Sequence, residues 1–379
     1  MSNNSTQPVL RYIQEPFVSV AVRYALQAVV ILVAIVGNAV VIRAVRRICG
    51  KKPLGYTLVL NLAVGELAQW LIYPFLLHYE ATWDWKFGRF LCKVINPLLI
   101  ICITNITLTI AAIAVYRWRL IVSPCSARSL TPIQTDLLIG SFWAIGLLVA
   151  LPSALTRNTY LETRVPGELT GCGEHWHSVS AHLTYLCVFF AVVYVIPILV
   201  MVISYAMVGC KVRRHMVDTR RKSRQETSGS VITCHSEMES RDVIENYNVQ
   251  ARTIPMTPVG NGTTNPNSVE KSARQSEVGI VEMEQDLLKM IYLIVFSFIV
   301  CYIPYQVFFL LHLLKVWQLW PYGAIVSAYF MLIITVPSAL HPIIYGTKSR
   351  FCALAFSWLV KCRWRRSRNV DLGRDAENV

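Results

Sequence analysis

This sequence is short of charge. Only 15 % of its 379 residues are Asp, Glu, Lys or Arg, where a soluble domain carries about 25 %. With 54 % apolar residues as well, it does not fit a soluble enzyme. Disorder is excluded because a disordered chain needs low hydrophobicity. Collagen is excluded because 18 glycines cannot occupy every third place. No Cys-His zinc pattern, phosphate loop or nucleophile elbow is present, which argues against an enzyme. No cleavable leader stands before residue 23, so the first apolar run is expected to act as a signal anchor.

What the sequence has is long runs without charge. A helix needs about 20 apolar residues to cross the hydrocarbon core. Nineteen uncharged residues separate Arg23 from Arg43. Between Pro53 and Tyr79 the one charge is Glu66. Further runs are Val94 to Tyr116, Leu137 to Thr156, His175 to Cys210, Met290 to Leu314 and Val316 to Thr347. Irregular backbone cannot face lipid, so each run is expected to be a helix. The fold class is therefore an all-α membrane protein with seven spans.

The net charge of +14 also has a place. With the N-terminus outside, the inner loops and tail hold 28 of the 36 Lys and Arg, as the positive-inside rule requires. This orientation puts residues 1–22 outside, a seven-span domain over 23–347, and a cytoplasmic tail over 348–379. Asn3 and Asn4 then form two overlapping glycosylation sequons on the outer side. Of 11 cysteines, only Cys92 and Cys172 fall outside the membrane on the oxidising side. They are expected to pair; the alternative is two free surface thiols. A nucleic-acid partner is not expected, since the excess charge is topological.

Residues 211–285 form a polar loop, basic at its start and without periodicity in its middle, read as largely disordered. After the seventh run, Phe351, Phe356, Trp358 and Leu359 interleave with basic residues. That pattern predicts a short amphipathic eighth helix on the inner leaflet. Cys362 there is a palmitoylation candidate, against a plain reduced thiol.

The polar and proline positions inside the runs are more specific. The first run has Gly37-Asn38, and the second Asn61-Leu62-Ala63 with Glu66. Trp85-Lys86-Phe87-Gly88 precedes Cys92, and the third run ends Tyr116-Arg117-Trp118. The fourth holds Trp143 and Pro152, the fifth Pro197 and Tyr205. The sixth has Cys301-Tyr302-Ile303-Pro304, and the seventh His341-Pro342-Ile343-Ile344-Tyr345. Together these resemble the rhodopsin-like (class A) G-protein-coupled receptors over roughly residues 23–362. The stretches around Trp85 and Cys172-Gly173-Glu174-His175-Trp176 look most like the peptide and neuropeptide group.

The resemblance implies a seven-helix bundle in the plasma membrane, with no cofactor, and activation by outward movement of the sixth helix. Its expected partners are an extracellular peptide or small ligand, heterotrimeric G protein, arrestin, receptor kinases and the lipid bilayer. Arg117 takes the coupling-switch position, approached by Tyr205 and Tyr345 in the active state. Pro197, Pro304 and Pro342 are three candidate hinges, because an interior proline removes a backbone hydrogen bond.

The departures from the family pattern cluster. The acid that restrains the switch arginine is Tyr116 here, and Glu284 is the candidate substitute partner for Arg117, against a solvated Glu284 beside Glu282 and Asp286. At the family's sodium-binding positions stand Glu66, His341, Pro337 and Ile106, with Tyr302 at the toggle tryptophan. Too few oxygen ligands remain for sodium, so no metal site is expected. Asn38, Glu66, Tyr302 and His341 are read instead as a polar site in the bundle core. A Glu66–His341 hydrogen bond would replace the ion, against a neutral Glu66 bonded to a neighbour such as Asn38.

Leu99 stands where amine receptors carry an Asp, and Thr335 where opsins carry a Lys. Monoamines and retinal are therefore not expected ligands. The resemblance gives an aromatic and apolar pocket of Leu99, Ile100, Ile103, Tyr185, Phe189, Tyr305, Gln306, Phe309 and Met331. Glu174, with Glu80 and Asp84, stands at its mouth for a basic peptide end. The alternatives kept open are a receptor with high basal activity and one with a small apolar or lipid ligand. A transporter or channel would call for inverted repeats and paired mid-membrane charges; no repeat is visible, and Glu66 is the one mid-membrane carboxylate.

Overall fold

Without water, a spanning segment must bond its own backbone, and the apolar runs do so as helices. The computed structural model describes residues 15–47, 54–123, 130–164, 167–228, 292–311 and 321–348. Among them, seven helices are long and apolar enough to cross a membrane: α1 (Phe17–Arg46), α2 (Leu54–Thr82), α3 (Gly88–Val122), α4 (Pro132–Thr156), α5 (Val179–Arg214), α6 (Tyr292–Leu311) and α7 (Ile325–Ile344). The protein is an all-α, multi-pass membrane protein.

Helix limits follow local chemistry. α1 starts at Phe17, ahead of the expected limit at residue 23. Arg23 does not end the span, because it is buried and paired with carboxylates. α4 opens with a capping box: the Thr131 hydroxyl accepts from Gln134 N–H, and the Gln134 side chain accepts from Thr131 N–H. Pro132 follows, where a missing N–H costs nothing.

Two of the spans are irregular. α5 widens into a π turn at Ala191–Val195, where Ile196 N–H donates to the Ala191 carbonyl five residues back. Pro197 explains it, since proline cannot fill the carbonyl at Val193. The helix then continues as Ile196–Ser228, well past residue 211, where a loop was expected. The seventh span is two helices, Gly323–Ile333 and Val336–Lys348. Its break lies at Ile334 and Thr335, beside Pro337, while Pro342 sits inside continuous helix. The interruption of this span therefore lies beside Pro337 and not at Pro342, the expected hinge.

Between α4 and α5 the chain forms an antiparallel hairpin, β1 (Arg157–Arg164) and β2 (Gly167–Glu174), in register from Arg157↔Glu174 to Arg164↔Gly167.

The chain divides into two compact units. One contains α1, α2 from Ala63, α6 and α7. Its core includes Ala34, Trp70, Tyr73 and Ala339. Gly37 lets α1 and α7 approach: a Cβ there would lie 2.6 Å from Pro342 Cβ. The other unit contains the start of α2, α3, α4, the hairpin and α5. At Gly146, α4 rides on the backbone of α3, with a Cβ position 3.0 Å from the Ile101 carbonyl oxygen. Asn61 ties three helices of this unit: its amide donates to Asn105 Oδ1 and Thr109 Oγ1, both at 2.8 Å, and its oxygen accepts from Trp143 Nε1 at 3.0 Å.

Candidate functional site

Cys92 and Cys172 form a disulfide that ties the first turns of α3 to β2. Trp85 fastens the same corner. It is buried, its N–H donates to the Thr170 carbonyl, and its indole N–H donates to the Gly88 carbonyl. Gly88 has φ +77°, a left-handed turn that glycine takes without cost.

Glu174, next to this disulfide, is a hub. Its carboxylate accepts from Ser153 Oγ, from Arg157 Nη2 at 3.0 Å and from Trp176 Nε1 at 2.9 Å. With its amide turned so that the oxygen faces the guanidinium, Asn96 on α3 accepts from Arg157 at 2.6 and 2.8 Å. Burial pushes the Glu174 carboxyl up, but the Ser153 and Trp176 hydrogen bonds and the Arg157 charge outweigh it and hold it below its usual range. Trp176 stacks on His182 and lies 5.0 Å from the Tyr185 ring. A shallow, open depression of about 560 Å³ lies beside them, lined by Pro152, Trp176, Ser178, Ala181, Thr184 and Tyr185.

Deep in the other unit, His341 Nδ1 donates to Glu66 Oε1, and both side chains are 1 % exposed. Asn38 is fully buried and donates to the carbonyls of Ala34 and Ser338. Tyr302 is buried against Phe298, with rings stacked at 4.4 Å. A polar cluster that charge counting missed lies toward the start of α1. Arg23 donates to Glu80 at 2.8 Å and to Glu15 at 3.1 Å, and Ser19 joins Glu15 to Tyr329.

At the far end of α3, Tyr116 packs against Gly55, where a Cβ would be 3.0 Å from the ring. The Arg117 guanidinium lies 5.7 Å from the centre of the Tyr116 ring. Among the described residues no carboxylate pairs with it. Tyr205 is buried in the same unit. Glu284, Asn3, Asn4, Cys362, the amphipathic eighth helix and most of the 211–285 loop lie outside the described residues. So does the side chain of Tyr345.

The ten expected pocket residues fall in both units. Leu99, Ile100, Ile103, Glu174, Tyr185 and Phe189 belong to one, and Tyr305, Gln306, Phe309 and Met331 to the other. All ten are half-buried. Two of the three mouth carboxylates, Glu80 and Glu174, already hold an arginine.

A family model for "7 transmembrane receptor (rhodopsin family)" matches residues 37–345. The chain belongs to this family. Rhodopsin-family members are receptors and not enzymes. Among individual proteins, the chain is similar to neuropeptide Y receptor type 2 of Sus scrofa, 28 % identical over 214 residues, which is 54 % of this chain and 56 % of the relative. The Mus musculus protein of the same name is 30 % identical over 192 residues, 49 % of this chain and 50 % of its own. The gonadotropin-releasing hormone receptor of Octopus vulgaris is 24 % identical over 319 residues, 84 % of this chain and 68 % of its own. The chain spans about half the length of the first two.

Within the rhodopsin family frame, sequence reasoning passed over Arg157, Ser153 and Asn96 around Glu174, and Arg23, Gln27 and Gln69 in the first unit. A rule looking for buried polar side chains beside charged ones would have found the arginines. The two glutamines give no such signal until α1 and α2 are placed side by side.

Proposed function

We propose that this rhodopsin-family protein is a plasma-membrane receptor with its N-terminus outside. It binds an extracellular peptide at its disulfide-bearing end and activates heterotrimeric G proteins at its Arg117 end. The family match over residues 37–345 carries the receptor reading. Three features support a peptide. The hairpin is braced at its base by Glu174 and by the disulfide. Aromatic side chains stand beside it. The relatives are named for a neuropeptide and for a releasing hormone. Ligand would shift a pre-existing inactive–active equilibrium.

The Glu66–His341 pair takes the place of a bound cation in this scheme. An imidazolium beside the carboxylate supplies the positive charge that a metal would otherwise bring. His341→Asn, with ligand-free signalling followed against pH, tests that role; an unchanged profile sinks it.

A second reading, high basal activity, is favoured by one observation. Arg117 has an aromatic ring beside it where the family carries an acid. Cells expressing the full chain, assayed for G-protein activation without and with a peptide library, separate the two. Peptide-evoked signalling that Arg117→Ala abolishes supports the main reading. High signal without peptide and none added by any peptide supports the second. Surface-expressed protein silent under all conditions overturns both.

A further inference from the structure

One face of α2 carries polar side chains at intervals through the depth of the membrane, with Leu76 and Leu77 packed between Tyr73 and Glu80. Glu66, Gln69, Trp70, Tyr73 and Glu80 fall at helical spacing along it. At 1.5 Å per residue the stripe runs about 21 Å. α1 answers with Arg23, Gln27 and Asn38, and α7 with Tyr329 and His341; all belong to one unit. Gln27 Nε2 donates to the Tyr73 hydroxyl at 2.8 Å. One turn away, Arg23 is held by Glu15 and Glu80.

The stripe is polar but not self-satisfied. Six of its buried atoms find no hydrogen-bond partner among the described residues: Gln27 Oε1, Asn38 Oδ1, Glu66 Oε2, Gln69 Oε1, Trp70 Nε1 and His341 Nε2. Each of these side chains is 5 % exposed or less. A buried polar atom left unbonded costs about 1–3 kcal/mol, so six within one unit are not kept without a partner. Ordered water is the usual partner of such atoms, and polar lining is what admits it. Polar groups inside a membrane commonly mark a path for ions or protons.

We propose that this face is a hydrated column that carries protons from the disulfide-bearing side to the Glu66–His341 pair, making the external proton a ligand of the receptor. The inference rests on the proposed orientation and deepens the role proposed for the pair. A proton delivered by water enters at His341 Nε2, the free ring nitrogen. The hydrogen-bonded imidazole and carboxylate then become an imidazolium–carboxylate pair. Among the described residues, no other Asp, Glu, Lys, Arg or His lies at 24–42, 54–77, 94–116, 137–156, 183–210, 292–311 or 323–340. Toward the mouth stand Glu15, Arg23, His78, Glu80 and Asp84, and the phenols and thiol of this unit are those of Tyr73, Tyr302, Tyr305, Tyr329 and Cys301.

Two measurements test this on the full chain. The first is hydroxyl-radical footprinting of purified receptor in nanodiscs, which labels side chains that touch internal water and needs no signalling. The expected result is strong labelling of Trp70 despite its burial, reduced severalfold in Gln69→Leu. An unlabelled Trp70 overturns the column. The second steps the external pH from 8 to 6 with internal pH clamped, and then the reverse, while ligand-free signalling is read in cells. One coupled proton allows a change of up to about tenfold per pH unit. The expected change follows the external step, is diminished in Gln69→Leu and is absent in His341→Asn. A response to the internal step alone, or one unaltered in His341→Asn, overturns proton delivery. Trp70 labelling in a protein whose ligand-free signal is the same at every pH would overturn proton signalling, while leaving the hydrated column and the peptide-receptor reading standing.

Discussion

Arg157 and Glu174 are the first cross-strand pair of the hairpin, and their side chains also meet, at 3.0 Å. The pair closes the base of the hairpin where it joins α4 and α5. Both side chains are largely buried, at 12 % and 16 % exposure. Each has further partners, Ser153 and Trp176 for the acid and Asn96 for the base. A buried ion pair persists only when its remaining hydrogen-bonding groups are engaged. The hairpin's position over α3 thus rests on this network as well as on the disulfide.

Glu174→Gln is expected to lower the thermal unfolding temperature of purified receptor, with a loss of about 1–3 kcal/mol for the charge-assisted bonds removed. Because the carboxyl is held below its ordinary value of 4.5, its stabilisation is present above that pH. It is lost as pH falls through the lower, folded value. The wild type should therefore lose stability on acidification below about pH 4.5 more steeply than the variant. Parallel melting curves from pH 6 to 3 check this; superimposable curves would contradict the network.

The disulfide closes a loop with a sequence separation of 80. On the chain-entropy account such a loop contributes about 4–5 kcal/mol, and native disulfides generally give about 2–5. Cys172→Ser should cost stability in this range and reduce surface expression. Mild reductant should reproduce the loss in wild type and leave Cys172→Ser unchanged. The variant with Cys92 also replaced should melt with the single variant.

The sequence shows some of this architecture well and some poorly, for physical reasons. Absence of charge marks a span because charge is what lipid excludes, so all seven helices are visible. The disulfide is visible because the expected sidedness leaves Cys92 and Cys172 as the two cysteines outside the membrane on the oxidising side. The hairpin is not, since Arg157–Arg164 and Gly167–Glu174 lack the apolar alternation of a half-buried strand. The α7 break is half-visible: two prolines stand there, and only packing makes Pro337 the one that interrupts the helix. Counting charges isolates Glu66 but passes over Gln27 and Gln69, which are polar without charge. It also reads Arg23 as the edge of a span, because one of its two carboxylate partners, Glu80, lies 57 residues away.

Gly37 is fixed by close approach and not by backbone conformation. Gly37→Ala places a methyl 2.6 Å from Pro342 Cβ and 2.9 Å from its Cγ. The proline ring cannot rotate away, so α1 and α7 must separate. Overpacking of this kind costs about 1–3 kcal/mol. The variant should melt earlier than wild type. Gly140→Ala is its control, since nothing lies within 4 Å of that Cβ position; the better helix propensity of alanine should make it neutral or slightly stabilising.

Glu66 and His341 give the sharpest test of an interior pair. Removing one partner leaves the other buried and uncompensated, a change that costs about 3–5 kcal/mol in buried pairs. Removing both leaves an apolar site that lipid-like surroundings tolerate. Glu66→Leu and His341→Phe should therefore each lower the melting temperature of purified receptor markedly. The double variant should recover much of the loss, giving a coupling energy well above the few tenths of a kcal/mol of independent sites. If the two losses simply add, the two side chains do not support each other in the folded protein. Recovery of stability in the double variant without recovery of pH-dependent signalling would separate what the pair does for the fold from what it does for the switch.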